Sequence, residues 1–220
     1  TIDDLAKEDL PVAATSSLAA TFDQIIADEM KTPADVRERI RVNLVRGLER
    51  SLAGAEPARQ KSLSSQVKYL NGAYIKGTLV NGPAPELNFL WTNYSKDGKT
   101  IAKLSDLKGS VVVLDFWATW CGPCVASFPQ VRDLTAHYKG YNVVVLGVTS
   151  IQGSHTPWKD GRPVPNGRVD TKDDQQKEID LMPGFMKDMD MTWSVAFSKE
   201  DVFNPEYGVR GIPHVAIIDP

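Results

Sequence analysis

Cysteine is scarce in this chain of 220 residues: there are two, Cys121 and Cys124. A bond between cysteines with only two residues between them closes a very short loop, so a staple joining distant parts of the fold is excluded. Histidine is scarce as well, with three in all. His137 and His155 follow the cysteines without forming a closely spaced pair, so the ligand set of a structural zinc site is missing. Neither has an identifiable partner, and both are expected at the surface. No run of about 18 apolar residues exists, which excludes a membrane-spanning helix. Positive charge is not in excess: a net charge of −3 and a pI near 5.6 give no electrostatic reason to expect nucleic acid. The opening "TIDDLAKEDL" is acidic and is not the basic region of a signal peptide.

What is present reads first as helix. In "SSLAATFDQIIADEM" (16–30), Leu18, Phe22, Ile25, Ile26 and Met30 share one helical face, with Ser16 or Ser17 as the cap. Thr32-Pro33 restarts the chain, Thr32 as cap and Pro33 at the first helical position. In "DVRERIRVNLVRGLER" (35–50) the apolar residues Val36, Ile40, Leu44 and Leu48 recur every four positions. Arg37, Arg39, Arg41, Arg46 and Arg50 then fall largely on the solvated faces. This helix is predicted to stop near Gly54, and a third runs over 57–70 with Leu63, Val67 and Leu70 inward. Residues 1–75 are therefore expected to form a small all-helical segment, followed by a Gly- and Pro-rich linker over 76–84.

From residue 85 the pattern changes. "ELNFLWTNYSKDGKTIAKL" (86–104) reads as two short strands about a Lys96-Asp97-Gly98 turn. "SVVVLDFWA" (110–118) is a continuous β-branched run, the mark of a strand buried on both faces. "GPCVASFPQVRDLTAHY" (122–138) follows as a helix kinked by Pro129. "NVVVLGVTS" (142–150) is a second buried strand. Strand, helix, strand gives a partly parallel sheet and an α/β fold class. Residues 151–174 carry three Pro and three Gly without periodicity and read as a long loop. A helix broken near Pro183-Gly184 and strands at "WSVAF" and "HVAIID" complete residues 85–220.

A cysteine at a strand-to-helix turn meets unpaired backbone N–H groups and the positive end of the helix dipole, and both favour the thiolate. Cys121 has that position. Cys124 lies one turn further on the same side, placed to resolve a mixed disulfide formed at an exposed Cys121.

"DFWATWCGPC" (115–124) resembles the active-site segment of the thioredoxin superfamily. "LSDLKGSVVVLDFWATWCGPC" and "YGVRGIPHVAIID" resemble its TlpA/ResA-like branch, the thioredoxin-like proteins of bacterial envelopes. The resemblance covers roughly residues 83–220 and implies a thioredoxin-like fold, a mixed central sheet flanked by helices. It implies a protein-disulfide reductase with Cys121 as nucleophile, Cys124 as resolving thiol and Asp115 assisting proton transfer. Trp120, Gly122, Pro123 and Ile212 would line the substrate surface beside a cis Pro213. The Gly-Pro pair within the motif matches reducing thioredoxins, whose potentials lie near about −270 mV. Oxidised proteins and an upstream thiol reductant are the implied partners, with no cofactor and no resident metal. A periplasmic or other extracytoplasmic setting is implied, with a membrane tether outside this chain. So is a closing strand and helix beyond Pro220, a continuation of roughly 30–45 residues.

Two alternatives stand beside this reading. Cys121, Cys124 and His214 are a donor set suited to Cu(I), although copper-handling relatives of the fold space their cysteines by three residues. A peroxidase of the same fold would need a proline where Asp115 or Phe116 stands. Trp158 is a candidate anchor for a partner on the 151–174 loop.

Overall fold

The computed structural model describes residues 32–220. The helix expected over 16–30 lies outside the described residues. The described chain divides into two compact units: residues 32–85 with Pro205–Gly208, and Glu86–Asn204 with Val209–Pro220.

In the first unit, helix α1 (Ala34–Leu52) packs on α2 (Pro57–Asn71). The four-residue apolar repeat delivers Ile40, Leu44 and Leu48 against Leu63, Leu70 and Ile75. The start of α1 corrects the expectation by one residue. Pro33 is the cap rather than the first helical residue, because its backbone is extended at ψ 146° while its carbonyl accepts from Val36 and Arg37. Arg41 is also not on a solvated face. It is buried, donating to Glu38 through Nε and Nη2 at 2.7 and 2.6 Å and to Asn71 Oδ1 at 2.7 Å. Its remaining bond, 3.2 Å to the Leu70 carbonyl, satisfies a last-turn acceptor of α2 and stitches the two helices together. Pro205–Gly208 joins this unit through Tyr74 N–H to the Glu206 carbonyl and Ala73 N–H to the Glu206 carboxylate.

The second unit is a five-stranded sheet in the order β1–β10–β5–β4–β11 with helices packed on it, a thioredoxin-like α/β arrangement. Its strands are β1 (Phe89–Thr92), β4 (Val111–Phe116), β5 (Val143–Ser150), β10 (Ser194–Ser198) and β11 (His214–Ile218). β4, β5 and β10 are parallel, while β1 and β11 pair antiparallel at the two edges. β4 and β5 are the two β-branched runs, and nearly every residue in them is buried.

Four expectations on the connecting segments are corrected. The 86–104 hairpin is mostly not one hairpin. β2 (Ser95–Lys96) and β3 (Lys99–Thr100) form a short ribbon about Asp97-Gly98, both at positive φ, while Phe89–Thr92 leaves to pair with β10. The 122–138 helix breaks at Ser127 into α3 (Gly122–Ala126) and α4 (Phe128–His137), because Pro129 has no N–H for the carbonyl four residues earlier. By contrast, α5 (Gln175–Asp188) runs unbroken through Pro183, since Ile179, Met182 and Phe185 on one face are all buried in the core. Residues 151–174 are paired rather than open loop. β6 (Ser154–His155) pairs with β9 (Val169–Asp170), and β7 (Trp158–Lys159) pairs with β8 (Arg162–Pro163). The inner ribbon turns on Asp160-Gly161, both at positive φ, a second Lys-Asp-Gly signal of the kind read at Lys96.

One face of the sheet carries an aromatic core in which Trp117 stacks on Phe185 at 5.6 Å and Phe128 meets Trp193 edge-on at 5.1 Å. Phe116, Trp117 and Phe128 are all fully buried. Gly147 of β5 lets two indoles reach the sheet: a Cβ built there would lie 2.8 Å from Trp117 Nε1 and 3.0 Å from Trp193 Nε1. Gly147→Ala is therefore expected to destabilise the fold by about 1–3 kcal/mol through overpacking, read as a lower urea midpoint with unchanged slope.

Candidate active site

The site begins where β4 ends. Trp117–Trp120 turn the chain off the strand, and Cys121 caps α3. Cys121 and Cys124 form a disulfide with Cα atoms 5.2 Å apart. The Cys124 N–H points at Cys121 Sγ from 3.1 Å. Pro123 sits in the first turn, where an N–H would have no helical acceptor. Because α3 has only five residues, little macrodipole stands behind Cys121. The aimed N–H is the main local group available to favour a thiolate there.

The cysteine expected to attack is not exposed, contrary to expectation: Cys121 is 3% accessible and Cys124 1%. Both belong to the aromatic core, with Trp158 and Ile212 packed against the same cluster. The β4–β11 ladder accounts for the approach of Ile212. His214 pairs with Phe116, so the chain just before β11 arrives beside the turn, and the Ile212 carbonyl lies 3.6 Å from Cys121 Sγ. The Ile212–Pro213 peptide bond is cis, and Pro213 and Pro123 are exposed.

Asp115 is buried in β4, and its Oδ2 has no hydrogen-bond partner among the described residues. Strand alternation puts Asp115 on the same side of the sheet as Val113, which packs in the cluster holding the cysteines. Loss of hydration raises its pKa to about 6.

Around this centre the structure gathers residues for which the sequence carried little signal. Trp120 is 41% exposed and stacks on Phe203, 39% exposed, with ring centroids 6.3 Å apart. The Trp120 indole donates to Gln152 Oε1 at 3.0 Å. Gln152 in turn donates to the carbonyl and hydroxyl of Ser150, whose hydroxyl accepts from Val202 N–H, the residue before Phe203. Trp158 does not stand out as an anchor. It is half-buried, donates to the Thr119 carbonyl at 2.7 Å and covers Gly122. Gln152, Phe203 and Thr119 belong to segments without periodicity, so only the fold brings them together.

The histidines divide differently from expectation. His137 is exposed, but His155 is buried against Phe185 at 5.4 Å, and its burial disfavours the imidazolium. His214 packs edge-on against Phe116 at 5.9 Å, and burial lowers its pKa too. Among the described residues no three His, Cys, Asp or Glu side chains form a group able to hold a metal ion. With Cys121 and Cys124 joined in a disulfide, neither sulfur is a thiolate donor for Cu(I) in this oxidised state.

Asp115 ties stability to pH. Its folded pKa, about 6, lies above the ordinary 3.8, so between those values the folded state keeps a proton that the unfolded chain has released. Stability is then lost as pH rises through that window, by about 3 kcal/mol once the pH exceeds 6. Asp115→Asn is expected to match the wild type near pH 4 and to exceed it by about 2–3 kcal/mol at pH 8, measured by urea unfolding at both values.

Comparison with known proteins gives the same outline. The chain is 41% identical over 70 residues to the thiol-disulfide oxidoreductase ResA of Oceanobacillus iheyensis, covering 32% of this chain and 36% of the relative. It is 30% identical over 132 residues to ResA of Bacillus cereus, covering 60% of each chain. Both matches span less than two thirds of the relative's length. Among solved structures, the pneumococcal exposed lipoprotein thioredoxin of Streptococcus pneumoniae aligns at 31% identity, with a TM-score of 0.37, over 61% of this chain and 80% of that one. Among the described residues no helix is long and apolar enough to cross a membrane. Residues 79–220, well over half of the chain, match the sequence profile of the Redoxin family. The buried dithiol turn and the sheet that carries it lie wholly inside that match, and the chain belongs to the redoxin family.

Proposed function

We propose that the chain is a thiol–disulfide oxidoreductase that reduces protein disulfides through the Cys121–Cys124 couple. The single observation that carries this reading is the Cys124 N–H aimed at Cys121 Sγ in a bonded pair at the end of a buried strand. In the reduced protein that N–H stabilises negative charge on Cys121. The Cys121 thiolate attacks one sulfur of a substrate disulfide; a mixed disulfide forms, and the other substrate sulfur leaves as a thiolate and takes a proton. Cys124 loses its proton and attacks Cys121 Sγ, and the second substrate sulfur leaves. The substrate gains two electrons and two protons, and the protein ends with the Cys121–Cys124 disulfide. An external dithiol returns it to the reduced state.

Asp115 is proposed as the group that takes the Cys124 proton, acting through water. Two features support this: it faces the cysteine side of the sheet, and a pKa of about 6 lets it exchange a proton near neutral pH. Trp120, Gly122, Pro123, Ile212 and Pro213 are proposed as the surface that receives the substrate, with the Ile212 carbonyl beside the reacting sulfur. Electron flow toward the substrate rests on the Gly-Pro pair between the cysteines. The extracytoplasmic setting rests on resemblance to the envelope branch of the family.

Equilibration in graded thiol buffers, with alkylated cysteines counted by mass, is expected to show one reversible two-electron transition near or below about −250 mV. A transition near about −150 mV would reverse the direction of flow, and no reversible transition would remove the proposal. Cys124→Ser is expected to accumulate a mixed disulfide at Cys121 with a protein substrate, visible on a non-reducing gel. Asp115→Asn is expected to slow release of that intermediate about ten- to hundred-fold at pH 7 in rapid-quench measurements while leaving its formation little changed.

A further inference from the structure

Glu178 lies in the first turn of α5, is 3% exposed and has no part in the exchange chemistry. A buried carboxylate is costly unless its oxygens are hydrogen-bonded. Here three donors converge on it: Gln152 N–H at 2.8 Å, Gly153 N–H at 2.9 Å and the Thr171 hydroxyl at 2.6 Å. They come from the two ends of the 151–174 segment, and the β6–β9 pairing closes a stem just beyond them.

Past that stem the segment returns to the active-site turn. Thr156 N–H donates to the Thr119 hydroxyl at 3.1 Å and Trp158 Nε1 to the Thr119 carbonyl at 2.7 Å, two residues before Cys121. The Trp158 ring lies over Gly122, 3.9 Å from where a Cβ would stand. On the other side Gln152, held by its backbone to Glu178, accepts from the Trp120 indole. One buried carboxylate is thus linked to both flanks of the dithiol turn, and Cys121 between them is 3% exposed.

We propose that Glu178 is a positioning residue that sets substrate selectivity, holding residues 151–174 as a cap over the Gly122 side of the turn. The inference rests on the oxidoreductase reading. With that side closed, a disulfide approaches Cys121 past Trp120, Phe203 and Ile212–Pro213. A polypeptide disulfide gains contacts with the exposed Trp120–Phe203 pair on that path, whereas a small disulfide has too little surface to do so. The cap therefore favours polypeptide disulfides and shields Cys121 from small disulfides and thiols.

Glu178→Gln replaces one acceptor oxygen by an amide that faces N–H and O–H donors. Trp158→Ala removes the half-buried roof while leaving the clamp intact. Each variant is compared with the full wild-type chain in two measurements. Alkylation of the reduced protein by iodoacetamide reads the exposure of Cys121, and is expected to accelerate at least five-fold. The ratio of rate constants for insulin and for hydroxyethyl disulfide reads selectivity, and is expected to fall at least ten-fold. The equilibrium potential of the cysteine pair is expected to stay unchanged, which separates loss of the cap from a rebuilt dithiol turn. Alkylation and rate ratio within two-fold of wild type in a folded variant would overturn the proposal, as would a shifted potential in both variants. If Glu178→Gln fails to fold, Trp158→Ala decides. Wild-type protein inert toward insulin would defeat the oxidoreductase reading, whereas the alkylation rates would still decide whether residues 151–174 cap Cys121.

Discussion

The hydrogen-bonding of β4 on both of its edges is the constraint on which the rest of the site depends. Parallel pairing to β5 and antiparallel pairing to β11 leave this strand no freedom to slide, because a shift by one residue would exchange the side chains of its two buried faces and carry Asp115 away from the side that Val113 shares with the cysteines. Each group proposed to act in the site takes its position from that strand. Asp115 stands on it, Thr119 to Cys124 follow directly from its end, and its ladder to β11 brings Ile212 and Pro213 alongside. A dithiol on a free loop would have none of these neighbours at fixed distance.

Two opposing effects act on the Cys121 sulfur. Apolar surroundings disfavour the thiolate, and Cys121 lies within an aromatic core rather than on an open surface. The Cys124 N–H acts in the other direction, and its effect is stronger for being buried, since little water screens it. The same burial raises the Asp115 pKa, so one dry environment surrounds both the Cys121 sulfur and the carboxyl of Asp115. This also explains why a carboxylate without a charged partner persists in a β-branched strand. Its cost above pH 6 is the counterpart of a proton held near neutral pH.

The helical unit is held by different means. Its core is a short aliphatic stripe, and the two helices are further joined by a nearly buried guanidinium that serves Glu38, Leu70 and Asn71 at once. That role was hidden in the sequence because Arg41 sits among four other arginines of similar spacing. Helical period alone placed it on a solvated face, and only the position of the α2 carboxyl end shows which arginine turns inward. His155 was misplaced for the same kind of reason: a lone histidine in a Pro- and Gly-rich stretch has no periodicity to reveal that Phe185 will cover it.

Strand and helix periods, the Pro and Gly punctuation and the Cys-Gly-Pro-Cys spacing are local properties. They sufficed for the α/β class, for both buried strands, for the α1 and α2 spans to within a residue or two, and for the reactive pair. Contacts between distant segments are not local, and these the tertiary structure decided: Phe89–Thr92 joining the main sheet, α5 continuing through Pro183, and the burial of Cys121. The Glu178 clamp belongs with them. Nothing in "QQKEIDLMPGF" distinguishes its glutamate from a solvated one, because the three donors it serves lie up to 26 residues away. Sequence by itself pointed to the chemistry proposed for this chain, since the two cysteines that would carry it stand three positions apart. What surrounds those residues was settled by folding, because apolar burial and hydrogen-bond satisfaction are accounted over the whole core and not along the chain.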